Sequence, residues 1–296
     1  MSSEFIIQAR EVSHTYAGGI TALQGVTLGI RRNEFLAFVG ANGSGKTTLV
    51  KHFNGLLKPT RGSLFVNGID TRKTTVSTLS RTVGFCFQNP DHQIFCYSVW
   101  DETLFGLWQQ RIPQAEAEER AAQALQKVGL YELRTRHPRE LSRGQRQRLA
   151  TASLLAMETQ VLVLDEPTTG QDFNSRRQIM GLAAELHEKG RTIVMVTHDM
   201  SLVAEYATRV VAMKGGRVLL DATPRELFQQ EDILTATGLK LPPALALARG
   251  LKSAGLNATP LTLNELYDAI VAALPEPAKL TDSISYVENR VKPCPR

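Results

Sequence analysis

Residues 35–47 read FLAFVGANGSGKT, and this stretch decides the fold. Phe35 to Val39 is a short apolar run, which reads as a strand buried on both faces. Gly40 to Thr47 then follows the phosphate-loop spacing of Gly, four residues, Gly, Lys, and Ser or Thr. Such a loop, here Gly40, Ala41, Asn42, Gly43, Ser44 and Gly45, curls backbone N–H groups around phosphate oxygens. The helix that follows turns its positive end to the same anion, with Thr48 in its first turn and Leu49, Phe53 and Leu56 expected on one face. Lys46 is placed for the outer phosphates and Thr47 for Mg²⁺. A chance match in a chain of this length has a probability on the order of one per cent.

Working outward, EFIIQAREVSHTY and TALQGVTLGI alternate apolar and polar residues as half-buried antiparallel strands do. Downstream, Ser63 to Val66 with Asn67-Gly68 predicts a strand and tight turn, and Val83 to Phe87 another strand. A helical block is expected from about residue 90 to 150, with an amphipathic stretch from Glu116 to Val128 stopped by Gly129. Runs at Val161 to Asp165 and Thr192 to His198 are two more buried strands, separated by a helix from about Asn174 to Lys189. Strands alternating with helices predict a mostly parallel sheet. A hairpin is expected at Gly215-Gly216, and Thr223-Pro224-Arg225-Glu226 is a capping box that opens a helix.

The run VLVLDEP, Val161 to Pro167, delivers two adjacent carboxylates to the carboxyl end of a buried strand, where parallel sheets bind ligands. Asp165 is thereby placed to serve a magnesium shell and Glu166 to act as general base toward water. Leu141 to Gln145, LSRGQ, opens a helical segment, so the Ser142 hydroxyl and the local N–H groups form an anion-binding helix start.

Together these motifs resemble the ABC ATPase family, whose signature is LSGGQ, over about residues 4 to 235. The resemblance implies an α/β fold of the P-loop NTPase, ABC ATPase type: a mostly parallel sheet core, an antiparallel β part and a helical subdomain. It implies ATP and Mg²⁺ as cofactors and Tyr16 as the aromatic that stacks on adenine. Gln88 would sense magnesium and the transmembrane partner, and His198 would be the switch histidine near the γ-phosphate. Ser142, Arg143, Gly144 and Gln145 would form the signature, and Asp172 would belong to the loop crossing between two ATPases. Arg143 departs from the family glycine. It is strained if that position needs positive φ and tolerated if the position is helical.

The segment FCFQNPDHQIF resembles the QNPxxQxF pattern of energy-coupling factor ATPases, which power uptake of vitamins and of cobalt or nickel ions. That resemblance implies a second ATPase, identical or not, a transmembrane coupling subunit and a membrane substrate-binding subunit. It places the chain on the cytoplasmic face of the membrane. Docking is expected to involve Gln88 and the helical block, with Asp101 and Glu102 meeting a basic coupling helix; the alternative is that Asp101 only caps a helix begun at Ser98.

A boundary is expected near residue 238, dividing an ATPase domain, 1–238, from an extension, 239–296. There Leu245, Ala248 and Leu251, then Leu266, Ile270 and Leu274, recur at helical spacing and predict a helical hairpin; a loose tail follows from Pro275. With 296 residues, 43% hydrophobic and 21% charged, the chain reads as soluble and globular. No apolar run reaches membrane-spanning length, and the start lacks a signal-peptide pattern. Cys86, Cys96 and Cys294 form no CxxC pair, which argues against zinc and disulfides. The net charge of +5 is scattered, without the aromatic interleaving of a nucleic-acid surface, so no nucleic-acid partner is expected. A repair-type ABC ATPase would need a long coiled coil between Lys46 and Leu141, and a ribosome-acting one a second cassette; neither pattern is present. A non-hydrolysing nucleotide sensor is disfavoured by Glu166 with His198.

Overall fold

The computed structural model describes residues 4–274. Ten strands run in chain order: β1 (Phe5–Thr15), β2 (Thr21–Arg31), β3 (Phe35–Val39), β4 (Arg61–Val66), β5 (Ile69–Asp70), β6 (Val83–Cys86), β7 (Val161–Asp165), β8 (Thr192–Val196), β9 (Arg209–Lys214) and β10 (Arg217–Ala222). They form two sheets. One is antiparallel, in the order β2-β1-β4-β5; the other runs β10-β9-β3-β8-β7-β6. In the second, β9, β3, β8, β7 and β6 pair in parallel and β10 is the antiparallel edge. β3, β7 and β8 are buried at every position, as their unbroken apolar runs require. β1 and β2 alternate, with register shifts in their pairing.

Helices connect the parallel strands. α1 (Lys46–Phe53) follows the phosphate loop, and α2 (Val76–Leu79) precedes β6. α1 stops one turn earlier than the Leu49, Phe53, Leu56 stripe implies: Asn54 ends it, Gly55 takes φ +76°, and Leu56 lies outside and exposed. α3 (Val99–Gln109), α4 (Gln114–Lys127) and α5 (Arg143–Met157) share a core of Val99, Leu107, Ala121, Leu125, Leu149 and Ala156. The helical block therefore runs to Met157, past the expected end near residue 150, because the far turns of α5 supply part of that core. α6 (Phe173–Glu188) and α7 (Met200–Tyr206) flank β8 in sequence, and α8 (Pro224–Leu227) and α9 (Glu231–Thr237) follow β10. Thr223 and Glu226 make the reciprocal capping box of α8.

Both expected tight turns are present, with φ of +48° and +80° at Asn67-Gly68 and +55° and +77° at Gly215-Gly216. The chain divides into two compact units, residues 1–240 and 241–296. In the second, α10 (Pro243–Gly250) and α11 (Leu263–Ala273) pack Ala244, Ala248 and Leu266 together with Leu256. The tail from Pro275 and Cys294 lie outside the described residues. Among the described residues, no helix is long and apolar enough to cross a membrane. Cys86 and Cys96 are free thiols.

Candidate nucleotide site

Strand order assembles the site. β3, β8 and β7 are neighbours, so the residues leaving their carboxyl ends meet: Gly40 to Thr47 after β3, Thr197-His198 after β8, and Asp165 with Glu166 at β7. β6 lies beside β7 and sends Gln88 to the same edge. A cleft of 480 Å³ opens there, lined by residues that include Tyr16, Ser44, Lys46, Thr48, Gln88 and Glu166. Asn42, Gly43, Gly45 and Thr47 also line it.

The loop backbone requires glycine at two places. Gly40 has φ +139°, and a Cβ there would sit 2.2 Å from the Met213 carbonyl oxygen. At Gly45, φ is +102° and a Cβ would meet the Ala22 carbonyl oxygen at 2.6 Å. Only a residue without a side chain allows both the φ and the approach. The buried Lys46 ammonium donates to the carbonyls of Gly40 (2.8 Å) and Ala41 (2.9 Å) and to Ser44 Oγ (3.2 Å). Burial pulls its pKa below the usual lysine value, opposed by the charges of Glu166 and Asp165.

Thr47 Oγ1 donates to Asp165 Oδ1 at 3.1 Å. Burial raises the Asp165 pKa above the usual carboxylate value, while the Thr47 hydroxyl acts in the opposite direction. Glu166, the next residue, has φ +51°, unusual for a non-glycine residue. Its N–H donates to the Val196 carbonyl at 2.9 Å. Its carboxylate is held on both oxygens: Thr169 Oγ1 donates to Oε2 at 3.1 Å, and His198 Nδ1 lies 2.9 Å from Oε1. The sequence pointed to Glu166 and His198 but not to Thr169, whose only signal is its position three residues after the acid in a turn. Behind His198, Asp199 caps α7 and forms an ion pair with Arg176 of α6.

Ser142 to Gln145 do not line this cleft. Ser142 is exposed and caps α5 reciprocally, its Oγ accepting from the Gln145 N–H at 3.2 Å while Gln145 Oε1 accepts from the Ser142 N–H at 2.8 Å. Arg143 is the first residue of α5 and has no positive φ, so its backbone is unstrained where glycine was expected. Its guanidinium lies against Gly170, 3.3 Å from where a Cβ of that glycine would stand. Asp172 caps α6, Oδ1 accepting from the Ser175 N–H at 2.8 Å and Oδ2 from the Ser175 hydroxyl at 3.0 Å. These bonds hold its carboxyl below the ordinary range.

One expectation is corrected. Glu102 is only 4% exposed, and its Oε2 accepts the N–H groups of Phe95 and Cys96, both at 2.9 Å, so it is not available to a basic partner helix. Asp101 is engaged at the helix start: Ser98 caps α3, its Oγ accepting from the Asp101 N–H at 2.9 Å and donating to Asp101 Oδ2 at 2.7 Å. The nearby exposed side chains are instead Phe95 and Tyr97.

Residues 23–169 match the family described as ABC transporter. An ABC transporter ATP-binding protein of Caldanaerobacter subterraneus is 46% identical over 248 residues, which are 84% of this chain; the chain spans only 44% of that relative's length. The energy-coupling factor transporter ATP-binding protein EcfA1 of Symbiobacterium thermophilum is 44% identical over 282 residues, 91% of this chain and 98% of its own. Among solved structures, cbiO1 from Clostridium perfringens, part of the ABC transporter complex cbiONQ, shares 36% identity at a TM-score of 0.69, covering 83% of this chain and 100% of that one. With the loop, the paired carboxylates and the strand order in place, this chain belongs to the ABC transporter ATP-binding proteins.

Proposed function

We propose that this chain binds Mg-ATP and hydrolyses it to power an importer of the energy-coupling factor type. The observation that carries the reading is a carboxylate already held beside the phosphate loop: Glu166 is fixed by His198 and Thr169, next to the Thr47–Asp165 pair. In this reading Tyr16 stacks on adenine, and the N–H groups of the loop from Gly40 to Thr48 surround the phosphates. Lys46 sets a cation against the outer phosphates, exchanging at least one loop oxygen for a phosphate oxygen. Glu166 takes the proton of the attacking water, and His198 keeps its carboxylate aimed and faces the γ-phosphate.

The donor set fits Mg²⁺, a hard cation that prefers oxygen, since a hydroxyl and a carboxylate lie side by side. Thr47, Asp165 and Gln88 are the residues that would hold it. When bound, the ion neutralises charge on the phosphate oxygens during transfer.

Because Ser142, Arg143, Gly144 and Gln145 lie away from this cleft, we assign them, with Asp172, to the nucleotide of a second ATPase, identical or paralogous. The similarity to EcfA1 and cbiO1 and the segment QNPDHQIF support the energy-coupling factor type. The remaining partners are then a transmembrane coupling subunit and a membrane substrate-binding subunit, the cargo a vitamin or transition-metal ion, and the location peripheral, on the cytoplasmic face. The unit 241–296 is assigned to pairing of the two ATPases.

Glu166→Gln keeps size and hydrogen bonding but removes the base. Turnover is expected to fall by at least roughly 10² while Mg-ATP still binds, so a long-lived ATP-bound pair accumulates. Unchanged turnover would remove Glu166 from the catalytic role. Recovery of hydrophobic membrane subunits with the chain tests the transport assignment.

A further inference from the structure

Tyr16 is the outer member of a ladder of three rings. It follows β1 directly, two positions after His14, and the two rings meet edge-on with centroids 4.7 Å apart and planes at 81°. On its other side His14 meets His52 edge-on, at 4.9 Å and 81°. Exposure falls along the ladder from 41% at Tyr16 to 7% at His14 and 0% at His52.

His52 lies on α1, the helix that begins at Lys46, and both ends of the ladder fasten to one residue of it. The Tyr16 hydroxyl lies 3.1 Å from Thr48 Oγ1, and His52 Nδ1 lies 2.7 Å from the Thr48 carbonyl oxygen. A carbonyl only accepts, so that Nδ1 carries the hydrogen; His14 Nδ1 does the same toward the Lys58 carbonyl at 3.0 Å. In this tautomer His52 Nε2 is buried without a hydrogen-bond partner, a cost that an aliphatic residue filling the same space would not carry. The backbone of Tyr16 is held separately, by its N–H to the Ile20 carbonyl (3.0 Å) and its own carbonyl to the Gly19 N–H (2.9 Å). What the ladder adds is control of the ring. Thr48, Tyr16, His14 and His52 form a closed circuit that fixes the Tyr16 plane relative to the helix bearing the phosphate-binding lysine.

We propose that His14 and His52 are positioning residues for the nucleotide base: they hold the Tyr16 ring at a set height and tilt above the phosphate loop, so that base and triphosphate are engaged together. This rests on the assignment of Tyr16 as the base platform. A ring already ordered loses little freedom when a base stacks on it, so the benefit appears as affinity for ligands that carry a base and not for a bare polyphosphate.

The test is calorimetric binding of Mg-ATP and of Mg-tripolyphosphate to the full chain and its variants. Tyr16→Ala, the control, is expected to weaken Mg-ATP about tenfold and to leave tripolyphosphate unchanged. His14→Ala is expected to show the same selective loss, while His14→Phe, which keeps a ring edge, stays within about twofold of the parent chain. His14→Leu carries the comparison if the alanine variant does not fold. Normal Mg-ATP affinity in the His14 variants, beside a loss in Tyr16→Ala, would overturn the proposal and leave the platform standing. Equal weakening of both ligands would reduce His14 to a general structural role and overturn it too. If Tyr16→Ala itself does not discriminate, the platform assignment fails and the proposal falls with it.

Discussion

At the scale of single residues, the place where phosphate chemistry is assigned holds Gly40 and Gly45 at positive φ in the loop, Glu166 at φ +51°, and Lys46 and Asp165, each pushed by burial toward its neutral form. His52 carries a testable pH dependence. Burial is the main cause of its depressed pKa, brought down to about 4, while its bond to the Thr48 carbonyl acts the other way. In the unfolded chain the group titrates near 6.5, so between those values the unfolded state binds more protons than the folded one. The neutral ring is therefore fully compatible with the fold above about pH 6.5, and stability falls as pH drops toward 4, by up to about 3 kcal/mol. Urea unfolding of the parent chain and of His52→Leu, followed from pH 7 to pH 4.5, should show the variant with the shallower slope. Parallel slopes would contradict this.

Helix starts are set by side chains at the scale of elements. Ser98, Ser142, Asp172, Thr223 and Thr262 each accept the N–H three residues on, and all five are in positions where a polar residue precedes a helix. α3 goes further, because its Glu102 binds the two backbone N–H groups of the loop before it. Glu102→Ala is expected to lower stability by about 1–3 kcal/mol, since two part-buried N–H groups lose their shared acceptor. Glu102→Gln, retaining one carbonyl acceptor, should cost less. Denaturant midpoints measure both, and loss of partner assembly without loss of stability would restore Glu102 to a docking role.

At the scale of the whole molecule, two units have separate apolar cores. In the second, Leu266 is buried between α10 and α11, whereas Leu263, Tyr267 and Val271 of α11 are exposed at helical spacing, as is Leu274 just beyond its end. The pairing proposed for this unit would use that stripe. Under the pairing role assigned to this unit, ending the chain after Lys240 should leave a folded domain that binds ATP. That domain should separate into monomers at concentrations where the full chain stays paired. Sedimentation of both forms, with and without Mg-ATP, decides this; equal association constants would exclude the unit from pairing.

Much of this was legible in the amino-acid order. The phosphate loop, the Asp165-Glu166 pair, the tight turns at Asn67-Gly68 and Gly215-Gly216, and the capping boxes all depend on backbone dihedrals or spacings within about eight residues. Such local demands leave a local record. The Arg143 departure could be judged only once α5 was seen to begin at that residue, because φ and not side-chain identity decides whether a glycine is needed there. Glu102 looked like a surface acid because charge is visible in a sequence and enclosure is not. The order β3-β8-β7 brings His198 to Glu166, and the meeting of β1 with α1 sets His14 between Tyr16 and His52. His198 and Glu166 are 32 positions apart, and His14 and His52 are 38 apart, with no repeating pattern linking either pair, so only tertiary packing could make them contacts.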